Sequence, residues 1–167
     1  MSLLIKDRAK SLLVTGKYSL LFFQQFVNGV KKGVLDFEQI AKEIEYLEGT
    51  RSITTTKKES MFKGELLEGL WHKHFFDAQH IPTNCLKMLE KQQEKICRKN
   101  LSEDEFLEAI LNLIDKSVVN YDKTGDWIIY QKTKQGNRYL TLARHNEPDE
   151  KIYERIKPYL TNQANCV

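Results

Sequence analysis

The chain has 167 residues, of which 41% are hydrophobic and 29% charged, and its formal net charge is +3. This balance is typical of one globular domain and excludes an intrinsically disordered chain, while the small charge falls short of the strong basic bias of duplex-DNA-binding domains. No apolar run reaches the roughly 18 residues that a membrane span needs, and the first residues lack the pattern of a signal peptide. We therefore predict a cytoplasmic protein with no membrane partner.

Residues 1–48 are predicted to form helical hairpins, because their apolar residues recur at helical spacing and their connections are short. The first helix is predicted to end near Gly16. The third is predicted to begin at Asp36, where Gln39 completes a capping box. Residues 49–60 are polar and have no helical period, so they predict a long mobile loop.

Residues 61–121 are predicted to form a helical core. Their first part, residues 61–76, is rich in aromatic side chains and favours a broken or short helix after Gly64. Ser102 and Glu105 form a capping box at the start of the longest predicted helix, whose wide apolar face predicts a central place in the core.

Residues 125–160 are predicted to form a β-hairpin followed by a helix. Trp127–Tyr130 and Tyr139–Leu142 are β-prone, and a glycine-containing turn signal separates them. The whole chain, residues 1–167, is thus predicted to be a single α+β domain. Its fold would be mainly an α-helical bundle of about six helices, with a C-terminal antiparallel β-hairpin and a closing helix.

The predicted hairpin has two faces of different character, because side chains alternate along each strand. With an even-numbered turn, the more apolar face carries Trp127, Ile129, Gln131, Leu140, Leu142 and Arg144. The opposite face carries Ile128, Tyr130, Lys132, Tyr139, Thr141 and His145. We assign the first face to the core and the second to function; an odd-numbered turn would reverse the pairing.

A sheet face with histidine, lysine, tyrosine and threonine is the kind of surface on which a metal-independent ribonuclease cleaves RNA. The reaction needs a general base for the 2′-hydroxyl, a general acid for the leaving oxygen and a cation for the charged transition state. His145 is the candidate acid or base, with His72 or His74 as its partner. Arg144 or Lys132 is the candidate phosphate-binding cation. The candidate substrate-binding residues are Tyr130, Tyr139 and Thr141.

Three stretches of the C-terminal part carry a resemblance over about 35 residues: 125–130 (GDWIIY), 139–145 (YLTLARH) and 149–156 (DEKIYERI). They resemble the C-terminal segment of uncharacterised bacterial and mobile-element proteins, and are similar to toxin modules of the barnase–colicin ribonuclease type. The resemblance implies helices that precede a small antiparallel sheet carrying the catalytic groups. It also implies a toxin-like activity on RNA.

Metal and cofactor sites are not predicted. His72, His74 and His80 lie within nine residues, but on a helix residues two apart point to different sides, and only on a strand would His72 and His74 converge. The three cysteines form no C-x-x-C pair, and no phosphate-binding glycine motif is present. A small metal-dependent enzyme built on the histidines is the weakest of the three hypotheses.

The main alternative is a non-catalytic protein that binds a protein partner or has a regulatory role. Its surface would be the aromatic residues Trp71, Phe75 and Phe76, which would then form an exposed apolar patch. The ribonuclease hypothesis instead requires His145 to lie in a cleft, within about one substrate's reach of a second titratable group such as His72 or His74. The predicted partner is therefore RNA or another protein, and the oligomeric state is left open.

Overall fold

A computed structural model describes residues 2–54, 56–76 and 125–160, together with Glu105 and Glu108. The helices in these ranges are α1 (Ser2–Ser11), α2 (Leu20–Lys31), α3 (Phe37–Leu47) and α4 (Asp149–Leu160). The strands are β1 (Lys17–Tyr18), β2 (Ser60–Met61), β3 (Trp71–Phe75), β4 (Asp126–Thr133) and β5 (Gly136–Ala143). A 3-10 turn, Glu65–Leu67, precedes β3.

The fold is α+β, as predicted, but the prediction of a six-helix bundle is wrong. The described residues form four helices and a five-stranded mixed sheet of order β1-β5-β4-β3-β2. β1 runs parallel to β5, and the other neighbours are antiparallel. The prediction missed three strands: residues 71–75 were placed in the helical core, and β1 and β2 have only two residues each, too few to show a period of two.

The helices that were predicted over residues 1–48 and after the hairpin are confirmed, but the first one ends at Ser11 and not near Gly16. The side chain of Ser19 accepts a hydrogen bond from the backbone N–H of Phe22 and caps α2. Asp36 caps α3 in the same way through the N–H of Glu38. The helix predicted to begin at Ser102 lies outside the described residues except for Glu105 and Glu108, which are helical and exposed.

Both faces of the sheet are covered, so the assignment of one hairpin face to solvent is wrong. Helices α1–α3 pack on one face, where the completely buried residues include Tyr18, Phe22, Ile40, Ile128, Tyr130 and Tyr139. Helix α4 and the 3-10 turn pack on the other, where they include Leu67, Ile129, Leu140, Ile152 and Ile156. The hairpin therefore lies at the centre of the protein.

A β-bulge in β5 changes which side chains share a face. The two-residue turn pairs Thr133 with Gly136, and the register continues to Tyr130 opposite Tyr139. The register then shifts between Ile129 and Tyr130, so that Trp127 lies opposite Ala143. Beyond the extra residue, β5 side chains point to the opposite face from the one predicted. His145, two residues after Ala143, consequently lies on the same side of the sheet as Trp127.

Glu48 ties the connection between α1 and β1 to the sheet. One carboxylate oxygen accepts hydrogen bonds from the backbone N–H groups of Val14, Thr15 and Gly16, at 2.9, 3.0 and 2.9 Å. The other accepts one from the Tyr139 hydroxyl at 2.6 Å. Burial raises the pKa of Glu48, but the hydrogen bonds from Tyr139 and the backbone outweigh burial and hold the pKa below its usual value.

A buried ion pair joins α3 to β3 and fixes part of the loop that was predicted to be mobile. Lys73 Nζ lies 2.9 Å from a Glu43 carboxylate oxygen, and both side chains are at most 1% exposed. Lys73 also donates to the hydroxyls of Thr54 and Thr56 and to the backbone carbonyl of Lys57. This network satisfies the buried ammonium group and holds the chain that leads to β2.

The longest described helices have twelve residues. None of the described helices is long and apolar enough to cross a membrane.

Candidate functional site

Three histidines meet around Trp127 at one end of β3, β4 and β5. His72 and His74 are two residues apart on β3, so their side chains share a face of the sheet, and His74 lies opposite Trp127 on β4. The Trp127 ring is 5.0 Å from the His72 ring, 6.2 Å from His74 and 5.0 Å from His145, measured between centroids. His74 is 5.5 Å from His145 and 5.6 Å from His72. We call these four residues the histidine cluster.

His74 is the most deeply placed member of the histidine cluster, with 5% of its surface exposed. Its Nδ1 lies 3.0 Å from the carbonyl oxygen of Gly125 and 3.4 Å from the Gly125 nitrogen. The shorter contact is the better hydrogen bond and assigns the proton to Nδ1, which donates to the carbonyl. Nε2 is then left with its lone pair, the form in which an imidazole accepts a proton.

Both strand histidines are neutral at pH 7. Burial and, to a smaller extent, the charge of His145 together lower the pKa of His72 to about 4. Burial also lowers the pKa of His74 to about 4, against the opposing effect of its hydrogen bond with Gly125. The positive charges of His72, His145 and the exposed Lys57 make smaller contributions that also lower the His74 pKa.

Hydrogen bonds fix the turn that carries His145. The His145 backbone N–H donates to an Asp126 carboxylate oxygen at 3.3 Å, and the Glu147 N–H donates to the Arg144 carbonyl at 3.1 Å. Arg155 of α4 binds both carboxylate oxygens of Glu147 in a charge-assisted pair. The turn is thus anchored to β4 on one side and to α4 on the other.

Ser60 and Lys57 approach the histidine cluster from the loop before β3. Ser60, paired with His72 across β2 and β3, has its hydroxyl 3.1 Å from His72 Nε2. The backbone of Lys57 is held by the buried Lys73, whose Nζ donates to the Lys57 carbonyl at 2.6 Å. Lys73 itself lies on the opposite face of the sheet from His72 and His74, so it positions this loop without reaching the cluster.

Two polar atoms of the histidine cluster are buried without a partner among the described residues: His72 Nδ1 and Trp127 Nε1. A buried donor or acceptor without a partner costs about 1–3 kcal/mol. Such costs are tolerated more often at functional sites than elsewhere in a fold. They are not confined to the histidine cluster, because the Tyr130 hydroxyl on the opposite face of the sheet is also buried without a partner among the described residues.

The structure brings together only some of the residues that were predicted from the sequence. His72, His74 and His145 meet, which satisfies the distance that the ribonuclease hypothesis requires, but none of them lines the cleft beside Arg144. Lys132 does not join them, because it lies five positions beyond Trp127 on β4, a distance of about 16 Å along a strand. Its Nζ lies 3.7 Å from the centroid of the Trp71 ring and 3.7 Å from a Glu59 oxygen.

The other predicted residues also lie away from the histidine cluster. Arg144 is exposed, but it precedes His145 and points to the other side of the sheet end, where it lines a separate cleft. Tyr130, Tyr139 and Thr141 are completely buried, so none of them presents a surface to a substrate. Tyr139 instead binds Glu48, and Thr141 binds Gln25.

The aromatic residues of the interaction hypothesis do not form an exposed patch. Phe75 is 2% exposed and belongs to the core beneath α1–α3. Trp71 is half-buried, packs against the same core and is covered by Lys132. Phe76 is half-buried as well. The specific support for a binding surface at this position is therefore lost.

Sequence reasoning missed Trp127, Lys57 and Gly125 as parts of the site. For Gly125 a signal existed, because a glycine directly before a strand often marks a close approach of two backbones. A Cβ at this position would lie 1.9 Å from the Phe75 carbonyl oxygen. Only glycine permits the contact that places its own carbonyl on His74.

Among the described residues, no group of three or more His, Cys, Asp or Glu side chains is arranged to hold a metal ion. His80, which completed the spacing considered for zinc, and the cysteines Cys85, Cys97 and Cys166 lie outside those residues. No protein-family model matches the chain, and no curated protein or solved structure is significantly similar to it.

Proposed function

We propose that this protein is a metal-independent ribonuclease in which His74 and His145 act as the general base and general acid. The observation that carries this proposal is the 5.5 Å separation of their rings at a sheet end that is open on the side of His145. Two imidazoles at this spacing can contact oxygens on either side of one phosphate. The toxin-like character and the bacterial or mobile-element origin come from the sequence resemblance and remain part of the proposal, as does a cytoplasmic location.

The chemistry assigns one proton transfer to each histidine. His74 Nε2, unprotonated at pH 7, takes the proton of the RNA 2′-hydroxyl, and the oxygen attacks the adjacent phosphorus. The new bond joins O2′ to phosphorus, the bond to the 5′ oxygen breaks, and that oxygen takes a proton from the imidazolium of His145. The products are a 2′,3′-cyclic phosphate and a 5′-hydroxyl, and no metal is needed for any step.

Lys57 supplies the cation in this proposal. Extra negative charge develops on the phosphate oxygens in the transition state, and a positioned ammonium group stabilises it. Lys57 is exposed, its charge acts on His74, and its backbone is fixed by Lys73. It therefore takes the role that the sequence assigned to Arg144 or Lys132.

The first test is cleavage of a fluorescently labelled single-stranded RNA by the purified full chain, with EDTA and with Mg²⁺. The variants are His145→Ala and His74→Asn. Asn keeps an N–H donor near the position of Nδ1, for the Gly125 carbonyl, but cannot act as a base. The control is Lys134→Ala, in the exposed hairpin turn.

We expect cleavage that persists in EDTA, with kcat/KM reduced by about 10²–10⁴-fold in each histidine variant and unchanged in the control. Lys57→Ala should reduce kcat by at least about tenfold, since it removes charge stabilisation of the transition state. Absence of cleavage by the wild-type protein, or cleavage that survives in His145→Ala, would refute the assignment.

A further inference from the structure

A cleft of about 580 Å³ opens on the side of the His145 turn away from the histidine rings. It lies between the α2–α3 connection and the Arg144–Pro148 segment, with Phe75 and Leu142 of the sheet at its base. Its volume falls in the range of roughly 300–1,000 Å³ that small-molecule sites occupy. It is separate from the histidine cluster, but His145 lies between two of its lining residues, Arg144 and Asn146.

The cleft has two exposed cations at its rim, Arg144 and Lys151. Neither forms a salt bridge within the part of the chain that the structure describes. Two carboxylates also line the cleft, and both already bind groups of the protein: Glu147 binds the guanidinium of Arg155, and Asp126 accepts a hydrogen bond from the His145 backbone N–H. Arginine and lysine at the mouth of a cleft are suited to an anionic group, and a guanidinium in particular suits a phosphate.

The inner wall of the cleft combines apolar surface with one oriented amide. Val34 and Leu35 from the α2–α3 connection and Pro148 face Leu142 across it. The Oε1 atom of Gln25 accepts hydrogen bonds from Thr141 Oγ1 and from the Leu142 N–H, both at 2.9 Å. Because Oε1 is fixed in this way, the amide N–H₂ of Gln25 remains to donate within the cleft.

We propose that this cleft binds one nucleotide of the RNA, next to the one whose phosphate is cleaved. Arg144 and Lys151 hold its phosphate, the apolar wall packs on its base, and the Gln25 amide donates to a base carbonyl oxygen. The position of Arg144, directly before His145, links the bound phosphate to the histidine cluster. This inference rests on the proposed function, which it extends by giving the substrate a second point of attachment.

The test measures binding separately from cleavage. The full-length His145→Ala variant, which should not turn over RNA, is titrated with the four nucleoside 5′-monophosphates and with inorganic phosphate by calorimetry. Further variants in this background are Arg144→Ala, Lys151→Ala and Val34→Glu. Val34 lies on the cleft wall with 67% of its surface exposed, so the new carboxylate can be accommodated there. The matched control is Lys157→Ala, on the same helix as Lys151 but outside the cleft.

We expect at least one nucleoside monophosphate to bind more tightly than inorganic phosphate. Arg144→Ala and Lys151→Ala should each weaken that binding by about tenfold, the effect of one charged hydrogen bond, and Val34→Glu should weaken it by charge repulsion, while the control leaves it unchanged. In the cleaving protein, Arg144→Ala should raise KM with little effect on kcat, whereas His74→Asn lowers kcat.

The outcomes separate this inference from the proposed function. Nucleotide binding that depends on the cleft, in a protein that cleaves no RNA, would support the cleft and refute the ribonuclease. The proposal for the cleft alone would be refuted if the wild type cleaves RNA but binds no nucleotide, or binds nucleotides no more tightly than phosphate. Nucleotide binding that the cleft variants leave unchanged would refute it as well.

Discussion

Protonation of His74 should make the fold sensitive to mild acid, because this imidazole is buried in its neutral form. Its pKa is about 4 in the folded protein, against the ordinary 6.5 of the unfolded chain. Between pH 6.5 and pH 4 the unfolded state therefore binds a proton that the folded state does not. The free energy of unfolding is unaffected above pH 6.5, falls as the pH drops below it, and stops falling from this cause below about pH 4.

The magnitude follows from the size of the shift. Each pH unit in this window costs about 1.4 kcal/mol, and the whole shift corresponds to an upper limit of about 3 kcal/mol, reduced to the extent that water reaches the ring. The assay is urea unfolding at pH 7.5, 6.5, 5.5 and 4.5, for the wild type and for His74→Asn. This variant cannot be protonated but keeps a donor for the Gly125 carbonyl.

We expect the unfolding free energy of the variant to fall less steeply than that of the wild type, by up to about 1.4 kcal/mol per pH unit between pH 6.5 and 4.5. Titrating groups outside the histidine cluster are common to both proteins and cancel in the comparison, whereas His72 and His145 are coupled to His74. Equal slopes for the two proteins would refute the argument that His74 is buried as a neutral base.

Three further substitutions test the contacts that shape the site. Gly125→Ala should destabilise the fold by about 1–3 kcal/mol in urea unfolding, because the new methyl group meets the Phe75 carbonyl oxygen and must displace β4 from β3. Glu48→Gln should lower the free energy of unfolding by about 1–3 kcal/mol at pH 7. The wild type should lose stability as the pH falls through the lowered pKa of Glu48, and the variant should not show this loss. Lys73→Met should lower the free energy of unfolding by about 3–5 kcal/mol, because it leaves Glu43 buried without its cation. Adding Glu43→Leu should recover part of this loss. Thermal and urea unfolding of the single and double variants measure both effects.

The sequence was sufficient for elements whose residues interact mainly with their neighbours in the chain. Helices α2 and α3 and the hairpin of β4 and β5 were predicted because apolar spacing, capping residues and a turn signal are local. Strand β3 was missed for a physical reason. Its inward-facing Lys73 looks like a surface residue in the sequence, and the partner that permits its burial, Glu43, lies thirty residues earlier.

The candidate site was predicted in part. His72, His74 and His145 were all proposed, but the geometry that unites them depends on two features without a sequence signature. One is the strand conformation of residues 71–75, which puts His72 and His74 on one face. The other is the bulge in β5, which moves His145 to that same side; a regular register would have left it with Tyr130 and Tyr139.

Helix packing, and not the bulge, explains why Tyr130 and Tyr139 were misplaced, because the register is regular as far as this pair. Tyr130 and Tyr139 were assigned to an open functional face, since tyrosine is common on the solvent side of strands. Packing of α1–α3 on that face buries them completely. Nothing in the hairpin sequence indicates that α1–α3, which are far away in the chain, cover the face that carries these tyrosines.

The measurement that tests the central claim most directly is the identity of the products from a short RNA incubated with the wild-type protein in EDTA. Mass spectrometry of the fragments, beside a matched substrate with a single 2′-deoxy nucleotide at the cleavage position, reports the chemistry itself. Base catalysis by His74 on a 2′-hydroxyl, with His145 as acid, predicts a 2′,3′-cyclic phosphate and a 5′-hydroxyl, and an intact deoxy substrate. A 5′-phosphate product, cleavage of the deoxy substrate, or no cleavage until a metal is added would contradict it.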